Sequence, residues 1–263
     1  MKLIVCMKQV PAAATASVDP LTKTIVRTGQ NAVTNPFDLY ALQTALDIRK
    51  KTGGTVTALT MGIPAAQKVL RDAIARGADG GAILSDRAFA GSDTLATAYT
   101  LSLGIRKLGG ADLIICGKMA IDGDTAQIGP ELAEQLGIAH VSDVTEILEA
   151  TPEYLVVRRQ WDTVEQELRL PLPALITVDK GADLPNMPTI PGMLRGRAAE
   201  IPLFDAESLN ADTSRCGLRG SPTQVVKTFT PPMRGQAEEI CGTTAQKAEK
   251  LAQICKEVLY GAN

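Results

Sequence analysis

The stretch from Asp112 to Gly137, DLIICGKMAIDGDTAQIGPELAEQLG, predicts a buried strand, a loop of small and polar residues, and a helix in direct succession. Leu113 to Cys116 form the apolar strand, and the helix opens at Pro130, a residue that suits the first helical position because it needs no N–H partner there. The loop from Gly117 to Gly129 would present unpaired backbone N–H groups and the positive end of a helix dipole to an anion. We therefore expect this loop to hold the phosphates of a nucleotide.

The composition of the chain excludes several classes of partner. The 263 residues suffice for one large α/β domain with an appendage or for two small domains, and 45% hydrophobic and 21% charged residues are values typical of globular proteins. The formal net charge is −2 and aromatic residues make up only 3%, so neither a basic surface nor a set of base-stacking rings is present. We expect no nucleic-acid partner and no membrane insertion.

The cysteines and the first residues of the chain indicate a reducing compartment. No two cysteines form a C-x-x-C pair, which argues against a metal cluster or a disulfide framework; they are Cys6, Cys116, Cys216, Cys241 and Cys255. The apolar run in MKLIVCMKQV is too short for a signal peptide or a membrane span. The sequence therefore predicts a cytoplasmic protein with reduced thiols and no metal site.

Strands alternate with helices through the first half of the chain. Three helices are expected here. The first begins at Asn35-Pro36-Phe37-Asp38 with Asn35 as its cap, and the second begins at Pro64. The third runs from Asp93 to Leu108 and would be capped by Ser92 or Gly91. The strands that precede or separate them are Leu3 to Val10, Thr55 to Met61, Ala82 to Ser85 and Leu113 to Cys116. This alternation predicts a parallel sheet, in which ligands bind beyond the carboxyl ends of the strands. The residues expected to converge there are Cys6 to Gln9, Met61-Gly62, Ser85-Asp86 and Gly117 to Gln127.

The pattern changes after Gly137. A hairpin is expected from Val156–Gln160 and Gln166–Leu170, followed by a buried strand at Ala174–Val178. Asp183 to Gly192 carries three prolines without periodicity and predicts an exposed loop with Met187, Ile190 and Met193. No continuous periodicity follows residue 198 until a helix from Thr243 to Leu259. We expect an α/β domain at residues 1–197 and an arm at 198–263 that lies on another subunit.

Common catalytic motifs are absent from the sequence. Neither GxGxxG nor GxxxxGK[ST] occurs, and His140, the single histidine, is interpreted as a structural residue. We name no catalytic residue, so any redox chemistry would come from a cofactor. Asp122 and Asp124 could be read as a metal pair or as an Asx-type turn, and Lys118 could bind a phosphate or remain solvated.

Gly117 to Pro130, GKMAIDGDTAQIGP, resembles the nucleotide loop in the small (β) subunit of electron transfer flavoproteins. The resemblance covers nearly the whole chain, and its other segments are Val5–Pro11, Asn35–Phe37, Thr60–Gly62, Val157–Arg159, Asp162, Gln166–Leu168 and Pro173–Thr177. The chain departs from the family pattern at Ala12, Thr163 and Val164. The last two lie in the expected hairpin turn, so the departure concerns the shape of that turn.

Membership of that family would imply a three-layer α/β/α fold of the adenine-nucleotide-binding type, with a C-terminal arm, paired with a larger α subunit that holds FAD. The positions matching the family's nucleotide-binding residues are Cys6, Asn35, Pro36, Phe37, Asp38, Met61, Gly117, Lys118, Met119, Ala120, Ile121, Asp122, Gly123, Asp124, Thr125, Ala126, Gln127 and Ile128. The family's partner-recognition loop matches Asp183–Arg195, with docking residues at Ile190 and Pro191.

The resemblance leaves two nucleotides to choose between. In one branch of the family the β subunit holds structural AMP, supports the α-subunit flavin and docks dehydrogenases; in the electron-bifurcating branch it holds a second FAD. The small residues at Gly123–Ala126 and the segment Gly220–Val225 resemble the FAD-binding branch. Thr94 and Thr97 open a hydroxyl-rich helix on which a flavin ring could rest, although simple N-capping explains them equally well.

If FAD is bound, the family implies that it takes a hydride from NADH and splits the two electrons. One electron would go to the α-subunit FAD and on to an acyl-CoA or hydroxy-acid dehydrogenase, and the other to ferredoxin or flavodoxin. A third interpretation, a stand-alone nucleotide-binding stress protein, is disfavoured by the long tail after Ala198.

Overall fold

The computed structural model describes residues 1–12, 32–180, 184–227 and 239–261. It divides the chain into two compact units, Met1–Val226 and Lys227–Asn263. The first unit runs past residue 197, where the sequence suggested a boundary, because a short strand at Leu203–Phe204 joins the sheet and Cys216 is fully buried. The contact between the arm and another subunit stays a prediction. None of the helices in the described residues is long and apolar enough to span a lipid bilayer.

The strands and helices follow the alternation expected from the sequence. The strands are β1 Lys2–Cys6, β2 Gln9–Pro11, β3 Ala32–Thr34, β4 Thr55–Met61, β5 Gly80–Leu84, β6 Leu113–Gly117, β7 Ala139–Ala150, β8 Tyr154–Trp161, β9 Val164–Pro171, β10 Ala174–Val178 and β11 Leu203–Phe204. The helices are α1 Pro36–Thr52, α2 Gln67–Arg76, α3 Thr94–Lys107, α4 Ile128–Leu136, α5 Ile190–Ala198 and α6 Thr244–Tyr260. The predicted hairpin, the buried strand at residues 174–178 and the C-terminal helix are therefore confirmed.

A nine-stranded sheet forms the centre of the first unit, within the described residues. Its strand order is β11-β5-β4-β1-β6-β10-β7-β8-β9, with parallel pairing from β11 to β7 and antiparallel pairing through β8 and β9. The central strands β1, β6 and β10 are buried on both faces, as their continuous apolar sequences require. The predicted mostly parallel α/β fold is confirmed.

Helices cover both faces of this sheet and make three layers. Leu3, Val5 and Ile115 point to the face that carries α1 and α2, where Leu42, Leu46 and Leu70 pack against them. Ile4, Ile114 and Leu175 point to the opposite face, where α3 and α4 contribute Leu101, Ile105 and Leu132. Because side chains alternate along a strand, each central strand supplies both cores.

Several boundaries differ from those predicted. The expected strand Leu3–Val10 is two strands, because the chain leaves the main sheet after Cys6 and residues 9–11 pair with β3. The sequence from Thr24 to Val33 predicts a short excursion around Gly29, and most of that segment lies outside the described residues. Helix α4 begins at Ile128, so Pro130 is its third residue and not its first. Proline is still tolerated there, since the first-turn N–H groups have no intrahelical acceptor.

The segment predicted as a loop from Asp183 to Gly192 is partly helical. Asp183 lies outside the described residues, residues 184–189 are irregular, and α5 begins at Ile190. The helix starts there because the Thr189 side chain caps it by accepting a hydrogen bond from the Gly192 N–H at 3.1 Å, and Pro191 occupies its first turn. Three prolines within seven residues, Pro185 to Pro191, interrupt the periodicity by which a helix is predicted from sequence.

Candidate functional site

The carboxyl ends of β1, β4 and β6 meet at one edge of the sheet. Cys6, the last residue of β1, is in register with Leu59 of β4 on one side and with Cys116 of β6 on the other. Cys6 and Cys116 are both buried, and Met61 at the end of β4 is partly buried against the α3–α4 side. The structure thus brings together Cys6, Met61 and Gly117 as the sequence predicted, and the candidate nucleotide loop leaves the sheet at this edge.

The second half of the candidate loop exposes backbone N–H groups that have no acceptor among the described residues. Asp124 and Ala126 have left-handed backbone conformations, with φ of 50° and 54°. Among the described residues, no group accepts a hydrogen bond from the backbone N–H of Thr125, Ala126, Gln127 or Ile128, and residues 123–127 are exposed. Consecutive N–H groups without acceptors, in a turn with left-handed residues that leads into a helix N-terminus, are features of an anion-binding nest.

The first half of the loop is held by contacts with the rest of the chain. The Asn35 side-chain amide donates to the Met119 carbonyl at 2.9 Å, and its oxygen accepts a hydrogen bond from the Ile121 N–H at 3.2 Å. The Lys8 ammonium contacts the Asp122 carboxylate at 2.7 Å. Asn35 occupies the N-cap position of α1, as predicted, but its side chain makes no capping hydrogen bond. It joins the start of α1 to the loop.

Asp38, in the first turn of α1, lies beneath this half of the loop. One carboxylate oxygen accepts a hydrogen bond from the Lys8 N–H at 2.7 Å, and the other accepts from the Asn35 side chain at 2.8 Å. The Gly117 N–H weakly favours the ionised form of this carboxylate. Burial raises the pKa of Asp38 to about 7, although the hydrogen bonds from Asn35 and Lys8 oppose that shift. A carboxyl group that titrates near neutral pH therefore supports the loop.

Lys118 is an ion-paired residue in this structure. Its ammonium lies 2.9 Å from Asp179 and 3.0 Å from Asp143, and its backbone N–H donates to the Val178 carbonyl. The hydrogen bond to Asp179 raises the pKa of Lys118. Two carboxylates thus pair with the Lys118 ammonium group, whose side chain is 31% exposed. A role for Lys118 toward a nucleotide stays a prediction.

Pro36 and Phe37 bring α1 close against the start of the loop. Phe37 is buried, with the Lys180 ammonium 4.8 Å from the centre of its ring. A Cβ atom at Gly117 would lie 2.8 Å from Cβ of Phe37 and would collide with a carboxylate oxygen of Asp38. Only glycine at residue 117 therefore allows α1 and the loop to approach this closely.

The start of α3 lies beside the start of α4. The Thr94 hydroxyl donates to Glu131 at 3.0 Å and lies 3.4 Å from the Gln127 side-chain oxygen. Thr97 lies one turn later, and its backbone N–H donates to the Asp93 carbonyl. Burial raises the pKa of Glu131, whose second carboxylate oxygen accepts no hydrogen bond from any described residue. Glu131 is a site residue that was not predicted from the sequence.

Asp93 ties α3 to the segment that follows residue 220. Asp93 caps the helix itself by accepting a hydrogen bond from the Ala96 N–H at 3.1 Å, so the predicted caps Ser92 and Gly91 are wrong. The Asp93 N–H donates to the Ser221 hydroxyl at 2.8 Å, and its carboxylate accepts from the Thr223 N–H at 3.0 Å. Two segments singled out in the sequence, 93–97 and 220–225, therefore meet.

The predicted docking residues, Ile190 and Pro191, lie in the first turn of α5, and the exposed residue Met187 lies in the segment before it. Ile190 is 76% exposed and Met187 is 79% exposed. Gly192 and Gly196 pack so closely on α2 that a Cβ at either residue would collide with a backbone carbonyl, of Ala75 or Arg71 respectively. A rigid support thus presents these apolar side chains to solvent, which is unusual unless they serve an interface.

Comparison with known proteins identifies the family. Residues 22–209 match the family model described as electron transfer flavoprotein domain. The chain belongs to the electron transfer flavoprotein family. Relatives of the electron transfer flavoprotein β-subunit type match almost the full chain, as do proteins named FixA. The resemblance stated from the loop at Gly117 is therefore confirmed.

Three relatives illustrate the range of this match. The electron transfer flavoprotein subunit beta of Clostridium acetobutylicum is 38% identical over 260 residues, which is 99% of this chain and 100% of that protein. Protein FixA of Bradyrhizobium diazoefficiens is 42% identical over 258 residues, 95% of this chain and 90% of its own length. The caffeyl-CoA reductase-Etf complex subunit CarD of Acetobacterium woodii is 39% identical over 259 residues, 98% of each chain.

Proposed function

We propose that this chain is the FAD-binding small subunit of an electron-bifurcating electron transfer flavoprotein, located in the cytoplasm. In the proposed complex, NADH is the electron donor. One electron passes to FAD in the α subunit and then to an acyl-CoA or hydroxy-acid dehydrogenase, and the other passes to ferredoxin or flavodoxin. The relative named as a subunit of a caffeyl-CoA reductase-Etf complex supports a dehydrogenase that acts on a CoA thioester.

The observation that carries the choice of FAD is the junction at Asp93. The Asp93 hydrogen bonds to Ser221 and Thr223 unite the two segments that resemble the FAD-binding branch. Thr94, the next residue, reaches Gln127 and Glu131 beside the nest. A polar surface thus continues from the phosphate nest to the start of α3, and a ligand longer than AMP would be needed to use all of it.

The residues of the loop fit a pyrophosphate group. Thr125 and Ala126 lie on an exposed loop and offer N–H groups that no described residue accepts, and a Cβ atom added at Gly123 would meet no atom within 4 Å, so the approach is open. The nest at residues 124–128 would hold the phosphates, and Thr94 and Thr97 would lie beside the flavin. When bound, FAD supplies the redox chemistry, namely hydride uptake from NADH and transfer of the two electrons separately. The chain supplies binding and orientation.

Coupled electron transfer tests this proposal. The αβ complex is mixed anaerobically with NADH and ferredoxin, with or without an acyl-CoA dehydrogenase and its enoyl-CoA substrate. We expect ferredoxin reduction only when the high-potential acceptor is present, because the two electrons must leave by different routes. Reduction of the dehydrogenase without any ferredoxin reduction would contradict bifurcation and favour the AMP-holding alternative, in which the subunit supports the α-subunit flavin and docks dehydrogenases.

Ile190→Ala is expected to weaken docking of the dehydrogenase at least tenfold, roughly the effect of truncating an apolar interface residue. Ile190 is exposed on the first turn of α5, which packs on α2, so the nucleotide content should not change. Binding is measured by titrating the αβ complex with the dehydrogenase, and nucleotide content by extraction and chromatography.

Val164→Ala is the matched control for Ile190→Ala. Val164 is also apolar and half exposed, but it lies at the start of β9 in the β8–β9 hairpin. It should leave docking unchanged. Wild-type affinity in the Ile190 variant would rule out α5 as the docking surface.

A further inference from the structure

One buried carboxyl group joins three separate segments under the nucleotide loop. Asp38 in α1 accepts hydrogen bonds from the Lys8 N–H, which follows β1, and from the Asn35 side chain, which precedes α1. The Gly117 N–H, at the end of β6, favours the ionised form of the same carboxylate. Asp38 is 5% exposed, whereas residues 123–127 of the loop are exposed. Its position indicates support of the loop, not contact with the ligand.

The contacts of Asp38 continue into the loop through two neighbours. Asn35, fixed by Asp38, holds Met119 and Ile121 by its amide. Lys8, whose backbone is fixed by Asp38, holds Asp122 by its ammonium group. Every contact in this network lies in the half of the loop that precedes Gly123. The conformation from which the nest emerges therefore depends on the Asp38 carboxylate.

Protonation of Asp38 would disturb this network. All three neighbours present N–H donors, so the ionised carboxylate satisfies them as an acceptor. A protonated carboxyl would place an O–H among N–H donors and lose one acceptor site. Burial opposes the ionised form and brings the pKa of Asp38 to about 7, where small pH changes alter the population of the two forms.

We propose that Asp38 is a positioning residue whose ionised carboxylate holds the loop in the nucleotide-binding conformation and whose protonation weakens nucleotide binding. The proposal rests on the proposed nucleotide-binding function of the loop, but not on the identity of the nucleotide. The family resemblance matched Asp38 to a nucleotide-binding position. In this proposal it acts on the nucleotide indirectly, by positioning the loop.

The charged and titratable groups around Asp38 come from four elements. They are Cys6 and Lys8 at the end of β1, Cys116 in β6, Lys118 and Asp122 in the loop, and Lys180 beyond β10, which lies over the ring of Phe37. The Cys6 thiol and burial raise the pKa of Cys116, so this thiol stays neutral near pH 7. His140 lies near the amino end of β7, paired with Leu175, at the opposite edge of the sheet.

The test is the pH dependence of FAD binding by the αβ complex depleted of its β-subunit nucleotide. With a pKa of about 7, the dissociation constant should rise about tenfold between about pH 8 and about pH 6, because the ionised fraction falls by that factor. The pyrophosphate of FAD does not titrate in this range. Asp38→Asn should bind weakly at every pH, with a flat profile, and His140→Gln should reproduce the wild-type profile.

Lys8→Met separates titration of Asp38 from a purely structural role. The positive charge of Lys8 favours the ionised form of Asp38, so its removal should move the midpoint of the profile to higher pH, and Lys8→Arg should restore it. Lys8→Met keeps the backbone N–H that donates to Asp38, and the Lys8 side chain is partly exposed. Circular dichroism confirms that each variant is folded.

A flat wild-type profile, or the same slope in Asp38→Asn, would overturn the proposal, as would an unmoved midpoint in Lys8→Met. If the complex proves to hold AMP, the same comparison is made with AMP. The difference between wild type and the Asp38 variant then cancels titration of the phosphate itself. Failure of the FAD assignment and failure of the Asp38 proposal therefore give different results.

Discussion

Thr125→Glu is expected to lower the affinity of the αβ complex for its β-subunit FAD at least about 100-fold, the effect of a like-charge contact costing several kcal/mol. Thr125 lies between the two left-handed residues of the nest, Asp124 and Ala126, where N–H groups without an acceptor among the described residues face solvent. A carboxylate there would repel a phosphate and could itself accept those N–H hydrogen bonds. Flavin retained after gel filtration measures the effect.

Thr125→Ser is the matched control, because it keeps the hydroxyl and adds no charge. It should retain flavin at the wild-type level. In the nucleotide-free protein both variants should unfold at the wild-type temperature, since Thr125 is exposed and its side chain contacts no described residue through a hydrogen bond or an ion pair. Full flavin content in Thr125→Glu would mean that the nest does not hold the phosphates.

Gly117→Ala is expected to reduce the free energy of unfolding by about 2–3 kcal/mol, the range for inserting a methyl group into a packed interior. The new Cβ would lie 2.7 Å from the Phe37 carbonyl carbon and would collide with Asp38, so α1 and the loop must separate. Nucleotide binding should fall with stability, because the same displacement breaks the links through Asn35. Urea unfolding and flavin content measure the two effects.

Gly123→Ala provides the comparison within the same loop. A Cβ at Gly123 meets no atom within 4 Å, and this glycine is not in the left-handed conformation. Its effect on unfolding should stay within about 0.5 kcal/mol, as for an ordinary surface substitution. Equal losses in the two variants would mean that close contact with α1 is not the reason for glycine at residue 117.

Local sequence signals predicted most of the fold correctly. The strands β6 and β10 are continuous apolar runs that are buried on both faces, so their burial can be predicted from the sequence alone. Gly53 and Gly137 end α1 and α4 with φ of 72° and 67°, a conformation that glycine adopts without strain. Hydrophobic periodicity and the residues that end a helix predict an element correctly where contacts with distant parts of the chain do not alter it.

Tertiary contacts decided what the sequence pattern could not. Helix α5 forms because Gly192 and Gly196 fit against α2, and no local pattern reveals that contact. Residues 198–226 belong to the first unit because β11 pairs with β5, although two residues are too few to show periodicity. The boundary was placed at residue 197 because the hydrophobic periodicity ends there, whereas contacts with the sheet continue beyond it.

The candidate site divided in the same way. The sequence placed Cys6, Met61 and Gly117 together because parallel strands end at one edge. The sequence analysis assigned nucleotide binding to every residue of the loop. In the structure, the half before Gly123 is held by other parts of the chain, and the half after it is exposed. Lys8 follows β1 and its position could have been noticed, but its partner Asp122 is 114 residues away, and only the folded chain joins them.

The identity of the β-subunit nucleotide is the central claim, and counting flavins in the purified αβ heterodimer tests it most directly. Denaturation releases the nucleotides, which are then quantified by absorbance and chromatography, and an intact sample is titrated anaerobically with NADH. We expect two FAD per heterodimer, one of which is bleached by NADH alone. One FAD together with one AMP per heterodimer would contradict the account.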